Sequence, residues 1–192
     1  MHLLPRASSM AETFIETGRL RLRTWRDEDR APFAAMNADS AVMRFFPSIL
    51  SKGESDAMVD RIAGRIETLG YGLFAVERRA DGTFLGFTGF STAPARTPVE
   101  GEVEIGWRLA KSSWRQGFAY EAASACMEWF WRATDFPRFV SFTARTNEPS
   151  WRLMRKLGLV HRPDLDFDHP DVPPGNPLRP HVVYVMERPF DG

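Results

Sequence analysis

Polar and apolar residues alternate strictly through "RLRLRTWR". Leu20 and Leu22 fall on one side and Arg19, Arg21 and Arg23 on the other, which predicts a half-buried strand. The spacing turns helical in "DEDRAPFAAMNADS", where Phe33, Met36 and Asn37 share a face and Asp27 is a candidate cap. In "SKGESDAMVDRIAGRIETLGYG", Met58, Ile62, Ile66 and Leu69 recur three or four apart, an amphipathic helix ending near Gly70. "YGLFAVERR" and "TFLGFTGFST" are apolar runs joined by Ala80-Asp81-Gly82, a hairpin signal. "EVEIGWRLA" reads as the next strand and a strongly apolar helix follows from Phe118. "RFVSFTAR" is another strand, and "NEPSWRLMRKLG" a short helix with Asn147 at its start and Gly158 past its end. "LVHRPDLDF" and "HVVYVMERP" form a last strand pair around the Pro-rich "DHPDVPPGNPLRP". The order contains seven strands, four helices and no internal repeat. It predicts a mixed α/β (α+β) fold, antiparallel early, with a strand–helix–strand crossover in the middle.

At 192 residues the chain is long enough for one domain with a real core. Residues 1–12 are expected to be a flexible N-terminal tail, with Met10 an alternative start, and residues 13–192 one domain. Lysine plus arginine equals aspartate plus glutamate, 25 each, so charge makes no case for nucleic acid or an anionic membrane. No apolar run approaches the ~18 residues of a membrane span. Cys126 is the only cysteine, which forbids an intrachain disulfide and fits a reducing, cytoplasmic setting. It falls on an apolar stripe and reads as core. His2, His161, His169 and His181 show no spacing that suggests a metal site.

Chemistry gathers around "SSWRQGFAYEAASACMEWFWRA". From Phe118 onward, Ala119, Ala122, Cys126, Phe130 and Ala133 make one apolar stripe, broadened by Met127, Trp129 and Trp131. The polar residues Glu121, Ser124, Glu128 and Arg132 share a narrow face, so the helix is central and its N-terminus points out of a packed core. Such an end carries unpaired N–H groups and a partial positive charge. Where a Ser, Thr, Asp or Asn cap would stand, the chain has Arg115-Gln116-Gly117. Two readings follow: a glycine-initiated helix capped by water, or a phosphate cradle.

"EIGWRLAKSSWRQGFAYEA" resembles the acyl-CoA site of the GNAT superfamily of N-acetyltransferases, whose pattern is Q/R-x-x-G-x-G/A between a strand and a helix. Here the pattern falls on Trp114, Arg115, Gln116, Gly117, Phe118 and Ala119, with Trp114 where a Gln or Arg is usual. "TGRLRLRTWRDEDRAPFAAMNAD" and "NEPSWRLMRKLGL" are similar to the RimJ/RimL-like branch, that of ribosomal-protein alanine acetyltransferases. The resemblance runs from about Glu16 to the C-terminus. It implies a GNAT fold with a mostly antiparallel seven-stranded sheet splayed between its fourth and fifth strands, and about four helices. It implies acetyl-CoA as co-substrate and no metal. The backbone N–H groups of Arg115, Gln116, Gly117, Phe118 and Ala119 would hold the pyrophosphate. Trp107, Arg108 and Leu109, on to Ala110, would pair with the pantetheine arm like an added strand. Gly106 suits a bulge in that strand.

Acetyl transfer to an amine needs a neutral amine, a polarised thioester carbonyl and a departing thiolate. Glu102 and Glu104 share a strand face with Gly106 and are candidate bases, with a solvated face as the alternative. Glu104 lies nearer the expected thioester and is preferred. A backbone N–H near Trp107 is the candidate carbonyl donor. Many family members carry a tyrosine where this chain has Met154, so Ser150, one turn into the same helix, is the candidate acid or else a helix cap. Asn147 has two roles in view, N-cap and coenzyme A contact. Asp164, Asp166, Asp168 and His169 form either a solvated turn or an acidic loop for an ammonium group, with His181 and Tyr184 in the same cleft. The expected acceptor is a primary amine, on a protein N-terminus or a small molecule. A homodimer stays open. The rival classes are a non-catalytic acyl-CoA-binding module and a nucleotide-phosphate enzyme, the latter without any G-x-x-x-x-G-K-[ST] stretch.

Overall fold

Thr13–Glu16 (β1) folds back antiparallel on Leu20–Arg23 (β2), which pairs in turn with Leu73–Arg78 (β3). The structure is a computed structural model and describes residues 12–189. The tail expected over residues 1–12 therefore lies, but for Glu12, outside the described residues. Between β2 and β3 the chain forms three helices, Arg30–Ala38 (α1), Ser40–Met43 (α2) and Lys52–Leu69 (α3). Phe84–Thr92 (β4) and Val103–Leu109 (β5) continue the antiparallel sheet. Phe118–Ala133 (α4) crosses over to Arg138–Ala144 (β6), and Glu148–Lys156 (α5) follows. Val160–His161 (β7) and Phe167–Asp168 (β8) both pair with Pro180–Glu187 (β9).

The sheet runs β1-β2-β3-β4-β5-β6-β9-β7, with β8 also on β9. Only β5 and β6 are parallel neighbours, and a single residue pair joins them, Glu104 opposite Val140. Beyond that pair the two strands part. α4 packs on one face: Ala122, Ala123, Cys126 and Phe130 are fully buried, and the Phe130 ring stacks on Phe90 at 3.8 Å. Phe33 and Met36 of α1, Val59 of α3 and Phe87 of β4 form a second core cluster.

Several expectations need correcting. Among the described residues the sheet has nine strands, not seven, because β1 precedes the alternating run and Pro163 breaks the expected sixth strand into β7 and β8. The first helix is two: Asp39 adopts an extended backbone and accepts the Ala41 N–H, ending α1 and starting α2. Asp27 does not cap α1: it opens a 3-10 turn, Asp27–Asp29, in which the Asp29 carboxylate accepts the Arg26 N–H at 2.8 Å, and Asp29 at the α1 N-cap position makes no side-chain cap bond. Asp27 instead pairs with Arg30 at the surface. Arg23 was expected on the polar side of its strand, yet it is 1% exposed. It is held by Asp29 at 2.7 Å and Glu77 at 2.8 Å, because a buried guanidinium needs acceptors on several sides. The α3 exit is as expected: Gly70 takes the left-handed conformation at φ 73°.

Candidate active site

The parting of β5 from β6 exposes a strand edge, and the ladder on the other side says which groups it presents. Ala93 N–H donates to Glu102 O and Ala110 N–H to Leu85 O, so even-numbered residues of β5 bond to β4. The odd-numbered residues turn their backbone to the gap. The N–H and C=O of Trp107 and the N–H of Leu109 therefore face it, while Leu109 O accepts from Trp114 Nε1 at 2.8 Å. Arg108 reaches the cleft by its side chain; its backbone belongs to the β4 ladder. The bulge expected at Gly106 is absent, since β4 and β5 pair one to one from Gly86 opposite Leu109 to Thr92 opposite Val103. Gly106 instead leaves bare floor: a β carbon there would meet no atom within 4 Å.

At the C-terminal end of β5 the chain turns into α4. Arg115 and Gly117 take positive φ, 59° and 80°. Among the described residues, none of the backbone N–H groups from Arg115 to Tyr120 has an acceptor, and no side chain caps the helix. Arg19, from the β1–β2 turn, fixes this loop. Its NH1 donates to Gln116 O at 3.0 Å and its Nε to Glu121 at 2.6 Å, and its guanidinium lies 4.6 Å from the Phe118 ring centre. Glu121 also accepts from Thr17 and from the Arg19 N–H, which ties the helix to the turn. The Gln116 side chain is directed away, donating to Ser112 O at 2.8 Å, so of the predicted cofactor residues it alone does not line the cleft.

A cleft of about 850 Å³ runs from this helix end along β5 to the loop before β9. Glu104 and Arg108 line it, as do Asn147 and Ser150 of the α5 entry. Burial pushes the Glu104 carboxyl up to about 8, opposed only by the Ser91 hydroxyl across the ladder. Glu102 is different: both its oxygens are taken by Arg138, one at 2.8 Å, which leaves Glu104 as the candidate base. Asn147 stands at the N-cap position but does not cap; its Nδ2 donates to Thr143 Oγ1 at 2.8 Å. The Ser150 hydroxyl has no partner among the described residues. Met154 is in the core, 1% exposed. Burial raises the Cys126 pKa, in keeping with its core position.

The acidic segment is a set of ion pairs. Asp164 binds Arg162, Asp166 binds His161 and the Val183 N–H, and Asp168 binds Arg179. His169 and His181 line the cleft, and burial lowers both pKa values, which favours neutral rings. Tyr184 is 5% exposed, stacks on His161 and is not among the cleft residues. Sequence reasoning missed the segment after α2, whose Phe45 and Phe46 roof the cleft, and the role of Arg19. The apolar run "AVMRFFP" was the available signal for the first; nothing local marked the second.

An open strand edge leading to an uncapped helix end offers its unpaired backbone groups along β5 to an extended, anionic ligand. The chain belongs to the GNAT acetyltransferase family, whose members transfer acetyl groups from acetyl-CoA: the family's description, "Acetyltransferase (GNAT) domain", matches residues 19–160. The uncharacterised protein YkkB of Bacillus subtilis (strain 168) is 29% identical over 150 residues, 78% of this chain and 86% of YkkB. A GNAT-family acetyltransferase crystal structure from Bacillus anthracis superposes with a TM-score of 0.75 at 22% identity, covering 93% of this chain and 99% of that one. RimL, a ribosomal L7/L12 α-N-protein acetyltransferase solved with coenzyme A, gives 0.73 at 17% identity, covering 92% and 98%. Both structural likenesses are of fold. No helix among the described residues is long and apolar enough to cross a membrane.

Proposed function

We propose that the protein acetylates a primary amine by direct attack of the amine on acetyl-CoA within a ternary complex. The observation that carries the reading is the position of Glu104, a carboxyl lining the cleft at the one residue pair where the sheet opens, with its pKa pushed up by burial. The residues present also fit the co-substrate. The free N–H groups of Arg115 to Ala119 suit its pyrophosphate, and Gly117 holds the loop at φ 80°, a conformation strained for any side chain. The backbone of Trp107 suits the pantetheine amides.

In this reading Glu104, in its ionised form, takes a proton from the ammonium, directly or through water. The amine nitrogen forms a bond to the thioester carbonyl carbon. The Trp107 N–H faces the gap in which negative charge develops on the carbonyl oxygen. The carbon–sulfur bond then breaks and the nitrogen gives up its second proton, which passes through water or the Ser150 hydroxyl to the departing thiolate, leaving the N-acetylated amine and coenzyme A. An alkyl thiol of pKa about 8.5, by analogy with cysteine, also leaves without help, so Ser150 has the smaller part. The fold shared with RimL supports a protein N-terminus as one acceptor class, with small amines as the other. The buried sole cysteine supports a cytoplasmic setting.

The test is an acceptor screen that follows acetyl-CoA consumption and the mass of the product. The reading expects at least one amine to gain an acetyl group. If coenzyme A binds and a broad panel gains none, the chain is a non-catalytic acyl-CoA-binding module, a reading that the core position of Met154 favours.

A further inference from the structure

Two arginines of this protein are largely withdrawn from water, and they are treated differently. Arg23 is enclosed by the carboxylates of Asp29 and Glu77. Arg108 has no carboxylate partner among the described residues. Its NH1 donates to Asn37 Oδ1 at 2.6 Å, and Asn37 is itself fully buried and fixed by a bond from its Nδ2 to Ser55. The Arg108 guanidinium lies 4.1 Å from the Phe46 ring centre and 5.5 Å from that of Phe87. Its Nε is buried with no partner. Asn37 holds NH1, and Arg108 lines the cleft. Burial lowers the Arg108 pKa to about 10, which keeps it a cation at neutral pH.

A buried cation without a counter-charge is costly unless an anion arrives to complete it. The rest of the cleft gives the same sign. Beside β5 its lining adds the cation Arg44, while Arg115 stands at the α4 entry and Arg152 and Lys156 on α5; Glu104 is the one carboxylate among the lining residues, and burial raises its pKa. The aspartates of the acidic segment bond to Arg162, His161 and Arg179, and none of the three aspartates lines the cleft. Glu104, Gly106 and Arg108 occupy alternate positions on one face of β5, so a ligand resting on the bare floor at Gly106 lies between base and guanidinium.

We infer that Arg108 binds a carboxylate of the acceptor, so that the substrate class is small primary amines that carry a carboxylate group. The inference rests on the acetyltransferase reading given above. Phe46 and Phe87 hold the guanidinium plane and keep water off it, and Asn37 sets its orientation. The guanidinium neither gives nor takes a proton in the reaction; it places the acceptor.

The test uses the full-length protein with acetyl-CoA and three acceptor pairs: phenylalanine, glycine and β-alanine, each against its carboxamide. Both kcat/KM and binding to the coenzyme A-loaded protein by calorimetry are measured, for wild type and Arg108→Gln. For at least one pair, wild type should favour the carboxylate by about tenfold or more, the scale of a charge-assisted hydrogen bond. In Arg108→Gln that preference should collapse to within about twofold, with the coenzyme A Kd unchanged. A carboxamide has a less basic amine, but that difference cancels when the variant is compared with wild type. Equal use of carboxylates and carboxamides by wild type overturns the inference and spares the transferase reading; this arm needs no variant to fold. A loss of coenzyme A affinity that matches the loss of turnover in Arg108→Gln also overturns it, by placing the guanidinium on the pantetheine arm. Carboxylate-selective binding that Arg108→Gln abolishes, without acetylation of any amine, upholds the anion site and sinks the transferase reading. If no acceptor binds selectively and none is acetylated, the inference falls while the transferase reading is judged by the broad acceptor screen.

Discussion

At the α4 end of the cleft, the groups offered to a ligand are backbone N–H groups of six consecutive residues, Arg115 to Tyr120. At the other end they are side chains gathered from distant segments: Glu104 and Arg108 from β5, Phe46 from beyond α2 and His181 from β9. Backbone recognition depends on conformation, which Gly117 and the Arg19 brace secure, and tolerates change in most side chains. Side-chain recognition depends on burial, which here moves the Glu104 pKa up and the Arg108 pKa down. One end is thus suited to a ligand shared by a whole family and the other to a ligand particular to this protein.

That contrast predicts a separation of effects. Glu104→Gln should give the largest change, a fall in kcat of about 100-fold or more, with the coenzyme A Kd unmoved. In wild type, kcat/KM should rise with pH through about 8, and the limb should stay in place across acceptors of different basicity. An equal loss of cofactor affinity in this variant would erase the division between the two ends. The same substitution has a signature in stability. The carboxyl is protonated in the fold up to about 8 but loses its proton near 4.5 when unfolded, so the fold loses stability as pH rises between those values. Glu104→Gln escapes that loss, and its Tm should exceed that of wild type at pH 9 and match it near pH 4.

Gly117→Leu comes next. Its φ of 80° is strained for any side chain, by about 1–2 kcal/mol, and the loop should yield, weakening coenzyme A by about tenfold or more in a calorimetric titration. The protein should remain folded, and unaltered coenzyme A binding would remove the helix end as the phosphate site. Arg19→Ala should act in the same direction but less, about threefold to fivefold in coenzyme A Kd, because a half-exposed ion pair contributes under about 1 kcal/mol. A change in kcat alone would move Arg19 out of the cofactor end. Ser150→Ala should lower kcat by less than about tenfold, since the thiolate leaves readily. A loss as large as that of Glu104→Gln would make thiolate protonation the difficult step.

The same contrast explains what the sequence revealed. The cofactor end is contiguous, so "WRQGFA" and the apolar helix behind it point to Gly117 and a helix end with unpaired N–H groups, but the choice between a water-capped helix and a phosphate cradle rests on the resemblance. The alternation of "EVEIGWRLA" puts Glu102, Glu104 and Gly106 on one face, and the ladder to β4 agrees. The acceptor end is assembled by tertiary contacts. Nothing local says that Arg138 would occupy Glu102, or that Arg162 and Arg179 would occupy Asp164 and Asp168. Arg23 and Arg108 look alike along the chain, each an arginine in an alternating strand. Only packing shows that one has acids around it and the other has none. β1, β7 and β8 were missed or merged because runs of two to four residues carry too little periodicity to count.

Direct attack in a ternary complex makes the simplest demand of all. Cys126 is fully buried with a raised pKa and cannot serve as an acetyl carrier. Thiol release from acetyl-CoA should therefore be measured with and without an accepted amine, alongside the intact mass of the protein. The account predicts no thiol without amine and, with it, one thiol for each acetylated amine. A burst of thiol equal to the enzyme concentration without amine, leaving the protein one acetyl group heavier, would contradict it.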